Sequence, residues 1–532
     1  MGNRGDTMPE RIPIRVAVSV LADVSLGIYR TPANALKELV SNAFDADATR
    51  VVMNTGFPHF TTMTCRDNGH GMTADEFRKI MELIGGSIKR KGGREFTERG
   101  RPIIGKIGIG ILAVAQICRR FTIISSRKGS NRRFEAHVDF EGFAVEKAKE
   151  ISLASEEAEE IGIGSYELYD ELPEDEGGHY TKVILEDVDP GFRQKLLESR
   201  GPETALWGYE FQKGDPKTLP EFVQWLSGTD ARQISDYNRL IWELALLCPV
   251  PYLENGPVVG VDVMVDISRR LLEYDFSLRI DGLELRKPIL LPTSPEITKE
   301  GQDYDVYDLQ YSDIVDKRPL SFSGYIYWQR KAIMPAELRG LLVRIRNVAV
   351  GTYDKSLLDY PKAQGPRMTW LSGEIYVEEG LEQSLNVDRN SFRETDPHYL
   401  KLQEVLYRRL GGDKDTKTPG IFSDISKASA ARNFDRRLRE DTHARDQILG
   451  DIEALSGIPL EIESSRDDSP VPLEVDVERG VITIYERHRM FPRARGQRRL
   501  LERVLIAYEL ANTAAGSKNA VRNEFYRLLT GS

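Results

Sequence analysis

The apolar and polar positions between Leu36 and Arg50 predict a helix with two different faces. At roughly 100° per residue, four apolar side chains fall on one side. They are Leu36, Leu39, Val40 and Ala43. The opposite side carries Glu38, Asn42 and Asp45 within about 60° of one another. Thr31 suits the N-cap and Pro32 the first helical position, so a helix start precedes this segment.

The next block, Cys65 to Met72, reads CRDNGHGM and predicts a strand followed by a tight turn. Val51 to Met53 and Thr61 to Thr64 read as strands, so Asp67 would end a strand. Gly69 and Gly71 would allow a tight turn and a close approach to a ligand. A single D-x-G-x-G also suits an ordinary turn. Thr73 to Glu76 then forms a capping box that predicts a second helix.

A glycine-rich block follows at 100–112, reading GRPIIGKIGIGIL. Gly105, Gly108 and Gly110 precede an apolar, helix-like run, an arrangement that presents backbone N–H groups to phosphate. Gly100 to Lys106 also matches the first seven positions of a P-loop. The eighth is Ile107, where a P-loop needs a Ser or Thr hydroxyl for its metal, and this argues against a P-loop.

In this order the blocks resemble the GHKL ATPase superfamily, which includes gyrase B, the heat-shock-90 chaperones, MutL, MORC proteins and histidine kinases. The first resembles its E-x-x-x-N-x-x-D-A box, the second its adenine-binding box and the third its phosphate box. Tyr180 to Leu185 resembles a fourth element, G-T-x-I, with Tyr180 in place of Gly. The resemblance implies a Bergerat-type α/β sandwich that binds ATP and Mg²⁺.

The resemblance also assigns roles to residues. Hydrolysis needs a base that orients water, and Glu38 is the candidate. Asn42 offers an amide oxygen to Mg²⁺, and Asp67 would accept a hydrogen bond from the adenine amino group. The remaining residues expected to bind ATP are Asp45, Gly69, Gly71, Met72, Ser87, Gly105, Lys106, Gly108, Gly110 and Thr181.

Two further segments are expected to change position when ATP binds. Residues 85–105, polar and rich in glycine from Ser87 to Arg101, suit a lid over ATP, although a disordered basic loop would look the same. Gly373 to Glu394 resembles the middle-domain stretch of heat-shock-90 chaperones that carries an Arg to the γ-phosphate. Arg389 is the matching residue, and a structural ion pair is its alternative role.

Changes along the chain in the pattern of apolar and charged residues predict an α+β protein with several domains. The ATP-binding domain would occupy 1–195, with a solvated acidic insertion at 146–178, and a helical connector would follow at 196–255. A transducer-like (S5-like) α+β middle domain would cover 256–411. It would begin with a strand at Val259 to Ile267 and a hairpin at Phe276 to Leu285.

Residues 412–532 would form a charged helical connector and a small C-terminal α/β module. Val481 to Tyr485 alternates as a strand, and a helical apolar stripe follows at Leu500, Leu501, Val504, Leu505 and Tyr508. The module holds the densest basic cluster of the chain, at Arg487, Arg489, Arg493, Arg495, Arg498 and Arg499. This cluster suits either nucleic-acid phosphate or a solvated surface.

Composition narrows the function classes. The chain has 532 residues, a formal net charge of −10 and three cysteines without paired spacing, so neither a disulfide framework nor a zinc site is indicated. No apolar run reaches bilayer length and no signal-peptide pattern opens the chain, which favours a cytoplasmic protein without a membrane partner.

The resemblance implies a homodimer that forms when ATP binds, hence an ATP-gated clamp. Its partner would be a protein client, as for a chaperone, or DNA, as for MutL and MORC proteins in bacterial repair or antiviral defence. A histidine kinase is disfavoured because no phosphoacceptor helix precedes the boxes.

Overall fold

The computed structural model describes most of the chain, in two compact units of residues 1–425 and 426–532. The described residues are 11–17, 32–83, 97–99, 101, 114–115, 117–140, 160–175, 177–198, 235–253, 257–258, 262–293, 296–298, 303–386, 391–413, 415–433, 443, 450, 461–476, 479–491, 495–514 and 520–521.

A nine-stranded, mostly antiparallel sheet dominates the first unit. Its strands are β1 (Arg11–Ala17), β2 (Arg50–Asn54), β3 (Met63–Asp67), β4 (Cys118–Ser126), β5 (Arg132–Asp139), β6 (Glu160–Pro173), β7 (Tyr180–Val188), β8 (Ser277–Ile280) and β9 (Leu283–Glu284). The spatial order is β1-β6-β5-β4-β7-β3-β2-β8-β9. The accompanying helices are α1 (Pro32–Asp45), α2 (Ala74–Leu83), α3 (Pro190–Glu198), α4 (Asp236–Leu247) and α5 (Asp262–Leu272). Together these elements confirm the mixed α+β class.

Helix α1 starts at Pro32 as predicted but ends at Asp45, before the predicted end at Arg50. The chain turns at Asp47, whose φ of 59° is left-handed, and Arg50 already begins β2. The predicted apolar side of α1 is buried. Helix α2 has the predicted capping box: the Thr73 N–H donates to Glu76 Oε2 at 2.8 Å, and the Glu76 N–H donates to Thr73 Oγ1 at 3.2 Å.

The predicted acidic insertion at 146–178 is wrong for its second half. Residues 160–173 form β6, which pairs with β1 on one side and with β5 on the other. Ile163 and Tyr166 lie in the hydrophobic core, while acidic side chains such as Asp170 are exposed. Within residues 160–173 the exposed acidic side chains therefore belong to the solvated face of a strand.

The predicted strand at Val259 to Ile267 is also wrong, because residues 262–272 form helix α5. Ile267 and Leu271, four residues apart, are both buried, so the period of the helix decides which side chains face the core. The following hairpin is confirmed as β8 and β9, but it extends the first sheet: β8 pairs in parallel with β2, with Arg50 opposite Ser277.

A second sheet lies in the same unit, within the range expected for the middle domain. Its strands are β10 (Tyr304–Val315), β11 (Arg318–Gln329), β12 (Gly340–Ile345), β13 (Val348–Asp354) and β14 (Leu371–Glu379), in the order β10-β11-β14-β12-β13. Helix α6 (Pro397–Gly411) packs against β10. At the centre of this sheet Arg344 forms an ion pair of 2.6 Å with Glu374, and both side chains are fully buried. One continuous hydrophobic core includes side chains from both sheets.

The second unit holds a small sheet and a long helix. Its elements are β17 (Glu461–Ser465), β18 (Leu473–Asp476), β19 (Val481–Tyr485) and α7 (Arg495–Ala514), numbered after the short pair β15 (Gly412–Asp413) and β16 (Thr418–Pro419) of the first unit. β19 has the predicted bounds. In the predicted stripe Leu505 packs against a core that contains Ile506, whereas Tyr508 is exposed. Arg487 and Arg489 of the basic cluster are exposed.

Among the described helices, none combines the length and apolar character required to cross a lipid bilayer.

Candidate active site

The three side chains on the predicted polar face of helix α1 differ in their exposure to solvent. Glu38 is only 2% exposed, Asp45 is half-buried and Asn42 is exposed. Lys37, also 2% exposed, places Nζ 4.0 Å from Glu38 Oε1 and donates a hydrogen bond of 3.4 Å to the Ala349 carbonyl of β13. The candidate base is thus a buried carboxylate beside a buried ammonium, an arrangement that offsets part of the cost of burying each charge.

The D-x-G-x-G turn packs directly on the C-terminal end of α1. The His70 N–H donates to the Ala46 carbonyl at 2.8 Å, and the Gly69 N–H donates to Asp67 Oδ1 at 2.8 Å. A Cβ on Gly69 would lie 2.6 Å from the Ala46 oxygen, and a Cβ on Gly71, whose φ is +66°, would lie 1.9 Å from the Ser126 oxygen. Both positions therefore require glycine so that the turn can approach α1 and β4.

Three neighbouring strands bring three polar side chains into one row. Asp67, the last residue of β3, lies opposite Thr181 of β7, and Thr181 lies opposite Ser125 of β4. The Ser125 Oγ is 3.1 Å from Thr181 Oγ1, and it accepts a hydrogen bond of 2.9 Å from the Met72 N–H. This row links the predicted adenine residues Asp67, Met72 and Thr181.

Burial changes the acidity of Asp67. It raises the pKa of this carboxyl to about 6, even though hydrogen bonds from the backbone N–H groups of Gly69 and Thr181 act in the opposite direction. Near neutral pH the carboxylate is ionised and accepts hydrogen bonds.

Comparisons with known proteins agree with this arrangement. The family described as histidine kinase-, DNA gyrase B-, and HSP90-like ATPase matches residues 29–176, which include α1, the D-x-G-x-G turn and β4. Residues 29–176 therefore form a domain of the GHKL ATPase superfamily.

Relatives over this domain include a putative restriction enzyme and DNA mismatch repair proteins. A putative type II restriction enzyme, HgiDII, of Herpetosiphon aurantiacus is 32% identical over 121 residues, which are 23% of this chain and 19% of that protein. MutL of Phenylobacterium zucineum, a DNA mismatch repair protein, is 31% identical over 122 residues, 22% of this chain and 19% of its own. MutL of Xylella fastidiosa strain M23 is 42% identical over 67 residues, 12% of this chain and 11% of its own. The chain therefore spans about a fifth or less of the length of these relatives.

Tyr180, which stands where the GHKL pattern has Gly, fits the first position of β7. Its ring lies under the guanidinium of Arg66, 4.4 Å from the ring centroid, and its hydroxyl donates to Glu174 Oε2 at 2.8 Å. These contacts hold the large side chain on the strand while its backbone carbonyl accepts from Ser125 Oγ. The substitution therefore leaves Thr181 in register beside Asp67.

Two described residues of the predicted lid, Thr97 and Arg101, contact the turn that follows α1. Thr97 donates a hydrogen bond to Asp47, and Arg101, which is 5% exposed, donates to the Ala48 carbonyl at 2.6 Å. The Arg101 guanidinium also lies over the Phe44 ring at 4.8 Å. These contacts tie Thr97 and Arg101 to the turn that follows α1.

Several predicted site residues lie outside the described part of the chain. They are Ser87, Gly105, Lys106, Gly108, Gly110 and Arg389. The ends of the segment that carries Arg389 are joined, because the Asn386 N–H donates to the Ser391 carbonyl at 3.0 Å and Asn386 Nδ2 donates to Ser391 Oγ at 2.8 Å.

Sequence reasoning did not single out Lys37 or Ser125. Each continues a buried pattern: Lys37 lies between Ala33 and Val40 on the packed side of α1, and Ser125 follows Phe121 and Ile123 on the inward face of β4. A polar residue at a position where the period predicts burial is the signal that would have identified both.

The raised pKa of Asp67 predicts how ATP affinity depends on pH. Below about pH 6 the carboxyl becomes protonated and no longer presents only acceptors, so affinity should fall with pH and approach a tenfold loss for each unit. Above about pH 7 it should be constant. Calorimetry with excess Mg²⁺ between about pH 5 and about pH 8 measures this profile. Asp75→Asn, on the exposed first turn of α2, should leave it unchanged, and equal affinities on both sides of pH 6 would contradict the assignment.

Proposed function

We propose that this chain binds and hydrolyses ATP and uses the cycle as a conformational switch. The observation that carries the proposal is the row of Asp67, Thr181 and Ser125, in which Asp67 and Ser125 are buried, beside the end of α1, the helix that holds the buried Glu38. A bound nucleotide requires hydrogen-bond acceptors near its base, and the row supplies them at one end of the helix. It also requires a carboxylate near its phosphates, and Glu38 lies further along the same helix.

At the base, Asp67 accepts a hydrogen bond from the adenine 6-amino group, which selects ATP over GTP because guanine has a carbonyl there. Met72 packs on the adenine, and Asp45 and Thr181 support Asp67 directly or through water. The glycine-dependent approach of the D-x-G-x-G turn to α1 holds these groups together. The residues present therefore suit an adenine nucleotide.

At the phosphates, Glu38 orients and deprotonates the attacking water, and Lys37 holds that carboxylate by charge. Asn42, an exposed amide on the same face, suits Mg²⁺, which neutralises phosphate charge when bound. Gly105, Gly108, Gly110 and the neighbouring Lys106 would surround the phosphates, with Ser87 in the lid.

Arg389 would report the nucleotide state to the second sheet. Its attraction to a γ-phosphate exists with ATP and is lost with ADP, and only such a difference drives a rearrangement. We propose that two chains associate through their GHKL domains when ATP binds and separate after hydrolysis. The contact from Lys37 to Ala349 on β13 gives the same helix a direct link to the second sheet, which we propose acts as a transducer.

We propose DNA as the partner of this clamp. The support is that the GHKL domain resembles those of MutL, a DNA mismatch repair protein, and of a putative type II restriction enzyme. A protein client, as for a chaperone, is the second candidate, and the likeness of residues 373–394 to a heat-shock-90 stretch favours it.

The catalytic assignment predicts that Glu38→Ala lowers the hydrolysis rate by about 10²- to 10⁴-fold because the base is lost, while ATP affinity changes little. Phosphate release and calorimetry measure the two quantities separately. Glu82→Ala, an exposed carboxylate on α2, is the matched control and should hydrolyse ATP at the wild-type rate. Wild-type hydrolysis by Glu38→Ala would refute the assignment of the base.

The choice of partner predicts that double-stranded DNA raises the ATPase rate at low salt and loses this effect as salt increases. A variant with Arg487→Ala and Arg489→Ala should lose the stimulation. The matched control, Arg466→Ala with Arg479→Ala, removes two exposed arginines from the same unit and should keep it. Hydrolysis that DNA does not affect at any salt concentration would reject DNA and favour a protein client.

A further inference from the structure

The hydroxyl group of Ser125 makes hydrogen bonds with three neighbouring residues. It is fully buried, and it lies on β4 directly opposite Thr181 on β7. Its Oγ is 2.9 Å from the Met72 nitrogen, 2.8 Å from the Tyr180 carbonyl oxygen and 3.1 Å from the Thr181 hydroxyl oxygen.

The donors and acceptors in this group follow from the hydrogen-bonding capacity of each atom. A serine hydroxyl has one proton and two acceptor positions. The Met72 N–H can only donate and the Tyr180 carbonyl can only accept, so the Ser125 proton is used on Tyr180. In the contact between the two hydroxyl groups, Thr181 must therefore donate.

The direction of that last hydrogen bond determines what Thr181 offers to a ligand. Its only hydroxyl proton points to Ser125, so its remaining capacity is acceptor-only. Asp67 lies beside Thr181 in the sheet and accepts hydrogen bonds as a carboxylate. The two side chains thus present acceptors from adjacent strands, and neither offers a proton.

We propose that Ser125 is a specificity-determining residue, which orients the Thr181 hydroxyl so that the pocket accepts purine nucleotides with a 6-amino group and rejects those with a 6-oxo group. The inference rests on the proposed ATP-binding function. Ser125 itself acts through Thr181 and is a positioning residue. A buried acceptor that faces a ligand carbonyl is left without a partner, and this is the cost that produces discrimination.

The test compares ATP with inosine triphosphate, which has the same sugar and phosphates but a carbonyl at position 6 and a proton on N1. Calorimetry on the full chain gives the affinity ratio of the two nucleotides. Ser125→Ala frees the Thr181 proton to donate to the 6-oxo group, so the preference for ATP should shrink by about five- to tenfold.

Two variants serve as controls. Ser126→Ala removes the neighbouring hydroxyl, which donates to the Arg132 carbonyl at 3.0 Å, and should leave the ratio at its wild-type value. Ser125→Thr keeps the hydroxyl and should retain the preference. If Ser125→Ala does not fold, judged by circular dichroism, Ser125→Cys supplies a weak thiol donor of similar size and should still reduce the ratio.

The outcomes separate the possible explanations. A purely structural role for Ser125 would weaken both nucleotides by the same factor, and an unchanged ratio would therefore overturn this inference while leaving ATP binding intact. A wild-type chain that binds neither nucleotide would overturn the proposed function and this inference together.

Discussion

The register of three strands is the constraint on which the rest of the site depends. Asp67, Thr181 and Ser125 share a row only because β3, β7 and β4 pair as they do. Since side chains alternate between the faces of a sheet, a slip of one residue in β3 would move Asp67 to the opposite face. Cys65 and Leu185, buried on the inward face, secure that register through the core.

Helix α1 adds the second constraint, because it is buried along most of its surface. Its packed side faces α4 and the second sheet, while its end supports the D-x-G-x-G turn through Ala46. Lys37 and Glu38 are adjacent in sequence and both buried, so the helix brings charge into the interior at the point where it meets β13. The same helix therefore connects the D-x-G-x-G turn, the candidate base and the second sheet.

Local patterns were sufficient to predict much of this local structure. The capping box, the strand ends and the row partners Asp67 and Thr181 follow from short motifs and from their order. At β6 the high density of acidic residues led to the wrong prediction of a solvated insertion, because these residues occupy the solvated face of a paired strand. At α5 the alternation of apolar residues led to the wrong prediction of a strand. A run of β-branched residues fits both the strand period and the helix period, and burial in the fold decides between them.

Long-range pairing was beyond the reach of local patterns. The parallel pairing between β2 and β8 joins residues more than two hundred positions apart. The sequence of neither strand indicates which strand it will pair with. The roles of Lys37 and Ser125 depend on groups from other elements, Ala349 for the first and Tyr180 for the second. Such residues can be identified from the sequence only as polar positions in a buried pattern, and their function requires the three-dimensional structure.

ATP binding by two variants of one strand tests the central claim most directly. Asp67 and Thr64 both lie on β3, and their side chains lie on opposite faces of the sheet. In calorimetry at neutral pH, Asp67→Ala should reduce ATP affinity at least tenfold, by loss of a charge-assisted hydrogen bond, whereas Thr64→Ala should bind as the wild type does. Equal affinities for Asp67→Ala and the wild type, or an equal loss in both variants, would contradict the account.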